Sequence, residues 1–221
     1  MNKKKIEIID GAAAIARGAL DGGCDFFAGY PITPASGILG HMLRELPKVG
    51  GVGFQGEDEI SSIGHCIGAA TAGAKAFTAS SGPGLSLYSE NLGLAIMMEI
   101  PLVICISQRL GPSTGAATAS AQGDIQFMRW CTSGGYPIIV LSPTNIPECY
   151  HITKRAFLLA QRFRCPVFIA TDKETVMTTE SVSAEEMVKS PDWPDVPEAP
   201  IHSSLEPYQK NGTIHHYTGS S

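Results

Sequence analysis

Several residues in this chain could do chemistry, and the densest group is Gln55-Gly56-Glu57-Asp58-Glu59-Ile60, a carboxylate cluster at the mouth of a helical pattern. A carboxyl group held out of water there could give or take a proton, whereas the same acids left in water would only cap the helix and offset its dipole. Apolar positions Ile60, Ile63 and Ile67 recur at helical spacing, and Gly64, Gly68, Ala69, Ala72 and Gly73 thin the same helix. Glu57, Ile60, Gly64 and Gly68 share one face, so Glu57 is expected to point into the protein while Asp58 and Glu59 turn to water. Arg109 ends an apolar run and precedes Gly111-Pro112-Ser113-Thr114-Gly115. Its guanidinium could grip a carboxylate through two parallel hydrogen bonds, the competing reading being a surface pair with Asp124 or Glu99. Thr33, between Ile32 and Pro34, offers a hydroxyl on a stiff loop. Ser80-Ser81-Gly82-Pro83-Gly84 lacks the lysine of a phosphate loop and reads as a tight strand-to-helix turn, and neither serine has an evident histidine partner. His65, inside the small-residue helix, reads as a core histidine.

The elements that must position these residues follow from alternation along residues 6–172. Short apolar runs near 25–29, 52–55, 76–79, 102–107, 137–141 and 167–170 read as strands, and helical periods over 10–22, 36–46, 58–73, 85–98, 125–133 and 145–163 fill the gaps. This is the pattern of an α/β protein, a doubly wound and mostly parallel sheet with helices on both faces. Ser36 and Asn145 are expected as helix caps. In such a sheet ligands sit beyond the carboxyl ends of the strands, where the Tyr30-Pro31-Ile32-Thr33-Pro34, Gln55-to-Glu57, Ser80-to-Gly84 and Gln108-to-Asp124 loops fall. Residues 1–180 are expected to form one domain, and the Pro-rich, aperiodic 181–221 a linker or arm leading toward a C-terminal domain absent from this chain.

Composition narrows the function. With 43% hydrophobic residues in 221, the chain can bury a sizeable core. A net charge of −5, with no basic run beyond Lys3-Lys4-Lys5, argues against a nucleic-acid role. No apolar run is long enough to span a bilayer and no leader is evident, so a soluble cytoplasmic protein without membrane contact is expected. The cysteines Cys24, Cys66, Cys105, Cys131, Cys149 and Cys165 form no C-x-x-C pair, which argues against a zinc or iron–sulfur site built by this chain alone.

The loops named above, read in order with Gln122-Gly123-Asp124, resemble the alpha subunit of 2-oxoacid:ferredoxin oxidoreductases over roughly residues 6–180, and the 2-oxoglutarate type more than its branched-chain relatives. That resemblance implies the pyrimidine-binding half of a thiamine diphosphate site. It places the diphosphate, Mg2+ and a 4Fe-4S cluster on a beta subunit, and implies a homo- or hetero-oligomer. The implied activity is oxidative decarboxylation of a 2-oxoacid with coenzyme A, giving acyl-CoA, carbon dioxide and reduced ferredoxin. By position in the motifs, Glu57 would hydrogen-bond the pyrimidine ring nitrogen and share its proton, Pro31 and Ile32 would line the cofactor, and Thr33 and Arg109 would meet the substrate. The alternatives are a branched-chain or pyruvate-type relative, or a non-catalytic assembly module that keeps the fold. Gly56, Gly37 and Ala117 depart from the family pattern and bear on which 2-oxoacid is taken.

Overall fold

The computed structural model describes residues 6–196, so Lys3-Lys4-Lys5 and the polar end of the chain from 197 lie outside the described residues. In chain order the elements are β1 (Ile6–Asp10), α1 (Gly11–Asp21), β2 (Phe26–Gly29), α2 (Ser36–Glu45) with a 3-10 turn (Leu46–Val49), β3 (Val52–Gln55), α3 (Glu59–Thr71), β4 (Ala76–Ser80) and α4 (Gly82–Met97). There follow β5 (Leu102–Gln108), α5 (Asp124–Arg129), β6 (Ile139–Leu141), α6 (Ile146–Phe163), β7 (Val167–Asp172), α7 (Lys173–Met177), β8 (Thr179–Ser183) and α8 (Ala184–Val188).

Six strands form one sheet in the order β3-β2-β4-β5-β7-β6, parallel throughout. Its central strands are buried on both faces, hence their near-continuous apolar runs. Successive side chains alternate between two cores. Phe77, Ala79, Val103, Cys105, Val167 and Ile169 pack with α1, α2 and α6. Ala76, Leu102, Ile104, Ile106, Phe168 and Ala170 pack with α3, α4 and α5 on the other side. The doubly wound architecture expected from the pattern is therefore the one observed.

Local chemistry explains most boundaries. Asn145 caps α6 by accepting from the Glu148 N–H at 2.9 Å, as expected. Ser36 does not cap α2: it is already helical, and Ala35 occupies the cap position without a side-chain bond. The sequence pattern also leaves out a second sheet. β1 and β8 pair antiparallel from Ile6↔Ser183 to Asp10↔Thr179, and Val182 and Met187 join the first core. These elements carry the fold past residue 180, where an arm is expected from composition alone. The cysteines are all free and five are buried; burial pushes the Cys66 thiol up to about 12, so it behaves as an apolar side chain.

Candidate functional site

Strand order reverses at β2, whose neighbours are β3 on one side and β4 on the other. Loops leaving β2 and β4 therefore diverge over opposite faces, and the crevice between them is where a doubly wound sheet receives a ligand. Thr33 follows β2, the acids follow β3, the Gly-rich turn follows β4, and Arg109 follows β5.

The acids are sorted differently from the expected arrangement. Glu57 is exposed, Asp58 is the N-cap of α3, and Glu59, expected to face water, is only 6% exposed. The reason is the phase of α3. Asp58 accepts the Ser61 N–H at 2.6 Å while the Ser61 hydroxyl reaches back to the Asp58 N–H at 3.3 Å, a capping box that starts the helix at Glu59. The inward stripe is then Glu59, Ser62, Ile63, Cys66, Ile67 and Ala70. Ile60, Gly64 and Gly68, the stripe expected to face inward, are exposed, and the space around both glycines is open. His65 is likewise on the surface, its Nδ1 2.6 Å from the Ser61 carbonyl and its ring against Phe54, rather than in the core.

Glu59 lies flat on the turn after β4. A Cβ at Gly84 would fall 2.7 Å from its Cγ, 2.8 Å from its Oε1 and 2.0 Å from the Ser80 hydroxyl, so only glycine lets the carboxyl and the hydroxyl converge there. Burial raises the Glu59 carboxyl above its ordinary range, with Asp58 adding to the rise; its own backbone N–H and Arg109 oppose it. Burial thus outweighs the two opposing contributions. Below it, Tyr88 is fully buried with its hydroxyl 2.8 Å from that of Thr78, which donates to the Ala28 carbonyl at 2.7 Å.

Arg109 is buried, and it pairs with neither Asp124 nor Glu99 as an ion pair; Glu99 instead pairs with Arg164 at 3.0 Å. Arg109 Nη1 donates to the Thr33 carbonyl at 2.6 Å and Nη2 to the Thr114 carbonyl at 2.9 Å. Thr33 and Arg109 are therefore brought together, and the guanidinium keeps donors to spare, its Nε–H being buried without a partner. A cavity of about 410 Å³ opens beside it, lined among others by Gly82, Ser86, Leu110, Ser113, Asp124 and Phe127. Pro31 is exposed, Ile32 packs partly into the core, and Thr33 borders a smaller cavity of about 250 Å³ with Asp10, Ser36 and Met177.

The buried polar atoms without a partner concentrate here: the hydroxyls of Ser80, Ser81 and Ser107, Gln108 Oε1, Arg109 Nε and Asp124 Oδ2 all stand at the carboxyl ends of β4 and β5 or in the loops beyond. Orphaned polar groups are costly unless a ligand meets them. Among the described residues no three His, Cys, Asp or Glu side chains gather where they could hold a metal ion, and no helix is long and apolar enough to cross a membrane.

Such a crevice, with a buried carboxyl and unmet polar groups at the switch point, is where a doubly wound α/β protein receives a ligand. Residues 17–220 match the family described as "Pyruvate flavodoxin/ferredoxin oxidoreductase, thiamine diP-bdg", and the chain belongs to that family. It is 51% identical over 169 residues to the 2-oxoglutarate synthase subunit KorA of Methanocaldococcus jannaschii, covering 76% of this chain and 46% of the relative. It is 49% identical over 179 residues to the KorA subunit of Archaeoglobus fulgidus, covering 81% and 52%. Against the ketoisovalerate oxidoreductase subunit VorB of Methanothermobacter thermautotrophicus the identity is 41% over 167 residues, covering 75% and 47%. A solved structure of 2-oxoglutarate:ferredoxin oxidoreductase from Magnetococcus marinus, with 2-oxoglutarate, coenzyme A and succinyl-CoA bound, superimposes with a TM-score of 0.80 at 39% identity, covering 83% of this chain and 32% of that one. The chain spans about half the length of the curated relatives it matches.

Proposed function

We propose that this chain provides the pyrimidine-binding part of a 2-oxoglutarate:ferredoxin oxidoreductase, which converts 2-oxoglutarate and coenzyme A to succinyl-CoA and carbon dioxide and passes the electrons to ferredoxin. The single observation that carries this reading is Glu59, a buried carboxyl whose pKa is raised by burial, placed at the switch point of the sheet. Higher identity to the 2-oxoglutarate relatives than to the ketoisovalerate one favours the dicarboxylic substrate over a branched-chain acid.

The residues fit the pyrimidine of thiamine diphosphate. A flat ring with a basic nitrogen and an amino group would satisfy a proton donor at Glu59 and the unmet hydroxyls beside it. When bound, the cofactor supplies a nucleophilic carbon for the 2-oxo group and a sink for the charge left as carbon dioxide departs. This chain's own part is narrower. Glu59 holds a proton at the ring nitrogen, and Gly84 lets that carboxyl lie close to the β4 turn. Arg109, held in place by the Thr33 and Thr114 carbonyls, presents its remaining N–H groups to the substrate carboxylate. Glu57 is not assigned this role because it is exposed. The diphosphate, Mg2+ and the 4Fe-4S cluster are assigned to a beta subunit, and the complex is taken to be a hetero-oligomer.

Reconstitution tests the reading. The protein reconstituted with a beta subunit should reduce ferredoxin with 2-oxoglutarate and coenzyme A, at a kcat/KM at least about tenfold above that with 2-oxoisovalerate or pyruvate. Preference for either monocarboxylic substrate would overturn the assignment of 2-oxoglutarate, and no turnover with any 2-oxoacid would favour a non-catalytic assembly module.

A further inference from the structure

Charge is unevenly spread at the amino end of the sheet. The chain is acidic overall, with a net charge of −5, yet one cavity of about 400 Å³ gathers Lys75, Lys154 and Arg155 against a single carboxyl, Asp21. Lys75 directly precedes β4, whose far end carries Ser80 close to Glu59, so the two places stand roughly 16 Å apart along the strand. These cations therefore stand outside the proposed reaction.

Helical spacing builds the cationic wall. On α6, Lys154 and Arg155 lie three and four residues on from His151, and Leu158 continues the same face, so all four line the cavity. Lys75 enters from across the cleft, its Nζ donating to the Gly22 carbonyl at 3.3 Å. The segment after α8 forms the third side. Arg155 Nη2 donates to the Pro194 carbonyl at 2.7 Å, its guanidinium lies 5.4 Å from the centre of the Trp193 ring, and Trp193 packs against the first core. One such bond leaves the guanidinium with donors to spare.

Among the described residues, Lys75, Lys154 and Arg155 make no ion pair. Asp21 is engaged instead by the Tyr150 hydroxyl, which donates to it at 2.7 Å, and Asp25 accepts the Lys75 backbone N–H at 3.1 Å. Like charges converge at a cost unless an anion answers them. A second polar group in the same wall is also unmet: His151 is 7% exposed, its ring stands edge-on to Trp193 at 6.4 Å, and its Nε2 is buried without a partner.

We propose that this cavity binds a phosphate group, free or carried on a flat ring, between Lys75 on one side and Lys154 and Arg155 on the other, with Trp193 beside it. A guanidinium fork meets two phosphate oxygens at once, and the lysines add compact positive charge. The indole gives a ring a surface to pack on. The volume falls within the range of about 300–1,000 Å³ usual for small-molecule sites. A ligand there bridges α6, the approach to β4 and the segment leaving α8, and so fixes that segment on the domain.

Trp193 reports on the cavity directly, and Trp130→Phe removes the other tryptophan. Fluorescence titration of the Trp130→Phe chain with inorganic phosphate and with AMP, at constant ionic strength in KCl, should show saturable binding, matched by calorimetry on the unaltered chain. Lys154→Ala and Arg155→Ala should each weaken it by about tenfold or more, the scale of one lost charge-assisted hydrogen bond. Arg44→Ala removes a cation that lines a different cavity and should change nothing. Lys154 is exposed, so Lys154→Ala should melt with the unaltered chain and its effect be read as binding alone. AMP binding tighter than phosphate, with the difference abolished by Trp193→Ala in calorimetry, assigns the phosphate to a ring-bearing ligand; equal affinities assign it to the free anion. No saturation by either at millimolar concentration, or affinities unmoved by Lys154→Ala and Arg155→Ala, would overturn the site.

Discussion

Replacing Gly84 with alanine should disarm the site while leaving the fold standing. The added Cβ would fall 2.0 Å from the Ser80 hydroxyl, 2.7 Å from Glu59 Cγ and 2.8 Å from Glu59 Oε1, against an ordinary contact of 3.4–4 Å. Ser80 and Glu59 are both buried, so one must shift by about an ångström. Overpacking of this kind costs about 1–3 kcal/mol, and alanine recovers about 0.8–1 kcal/mol over glycine within a helix, leaving a net loss of about 0–2 kcal/mol. For a domain of this size that is a melting-temperature drop of at most about 8 °C. Cofactor binding should suffer more than stability. Losing one charge-assisted hydrogen bond of about 1.5–3 kcal/mol weakens thiamine diphosphate affinity by about tenfold or more. Thermal melts of the chain and calorimetric titration of the reconstituted complex measure the two effects separately. Unchanged cofactor affinity would refute the placement of Glu59 against Gly84, and complete unfolding would show that the turn is a structural keystone rather than a cradle.

Glu59→Gln should stabilise the isolated chain at neutral pH. The folded pKa is raised, so the contribution of Glu59 is fully present below its unfolded value near 4.5 and is lost as pH rises through the folded value. Chemical denaturation across that window should show a flatter pH dependence in the variant, and a steeper one would contradict the burial argument. Gly64→Ala with Gly68→Ala, where nothing lies within 4 Å of either added Cβ, should stabilise the isolated chain by about 1–2 kcal/mol through helix propensity alone; a loss measured by urea unfolding would mean that the α3 surface is already packed in the free chain. The purified chain alone should bind thiamine diphosphate with Mg2+ poorly, because the diphosphate and metal ligands are assigned to the partner, and tight Mg2+-dependent binding by calorimetry would end the divided-site model.

The sheet and its six covering helices were legible because buried parallel strands are short, apolar and separated by helical periods, as in Leu102–Gln108 and Ile146–Phe163. β1 and β8 escaped the pattern for a physical reason. They pair across most of the chain, β8 has only Val182 buried, and a mostly exposed five-residue strand leaves no alternation to read. α7 and α8 are each too short to show a helical period. Thr33 and Arg109 stood out because a proline-flanked loop and a strand-terminal arginine are unusual, and the structure joins Arg109 to the Thr33 carbonyl by a hydrogen bond. The choice among the acids failed on helix phase. Small residues were taken as the buried face, yet Gly64 and Gly68 are exposed and the packed face is Ile63, Cys66, Ile67 and Ala70. Tracing that apolar stripe back by four from Ile63 arrives at Glu59.

The central claim is that the Glu59 carboxyl, and neither of its neighbours, shares a proton with the cofactor pyrimidine. The most direct measurement is the C2-proton exchange rate of thiamine diphosphate bound to the reconstituted complex, compared among Glu57→Gln, Asp58→Asn and Glu59→Gln. All three sit at the start of α3, so a purely helix-capping role would give only small effects in each. Glu59→Gln should slow exchange by about a hundredfold or more, the usual scale of acid–base catalysis, with the other two within about threefold of wild type. Equal small effects in all three, or a large loss confined to Glu57→Gln, would contradict the account.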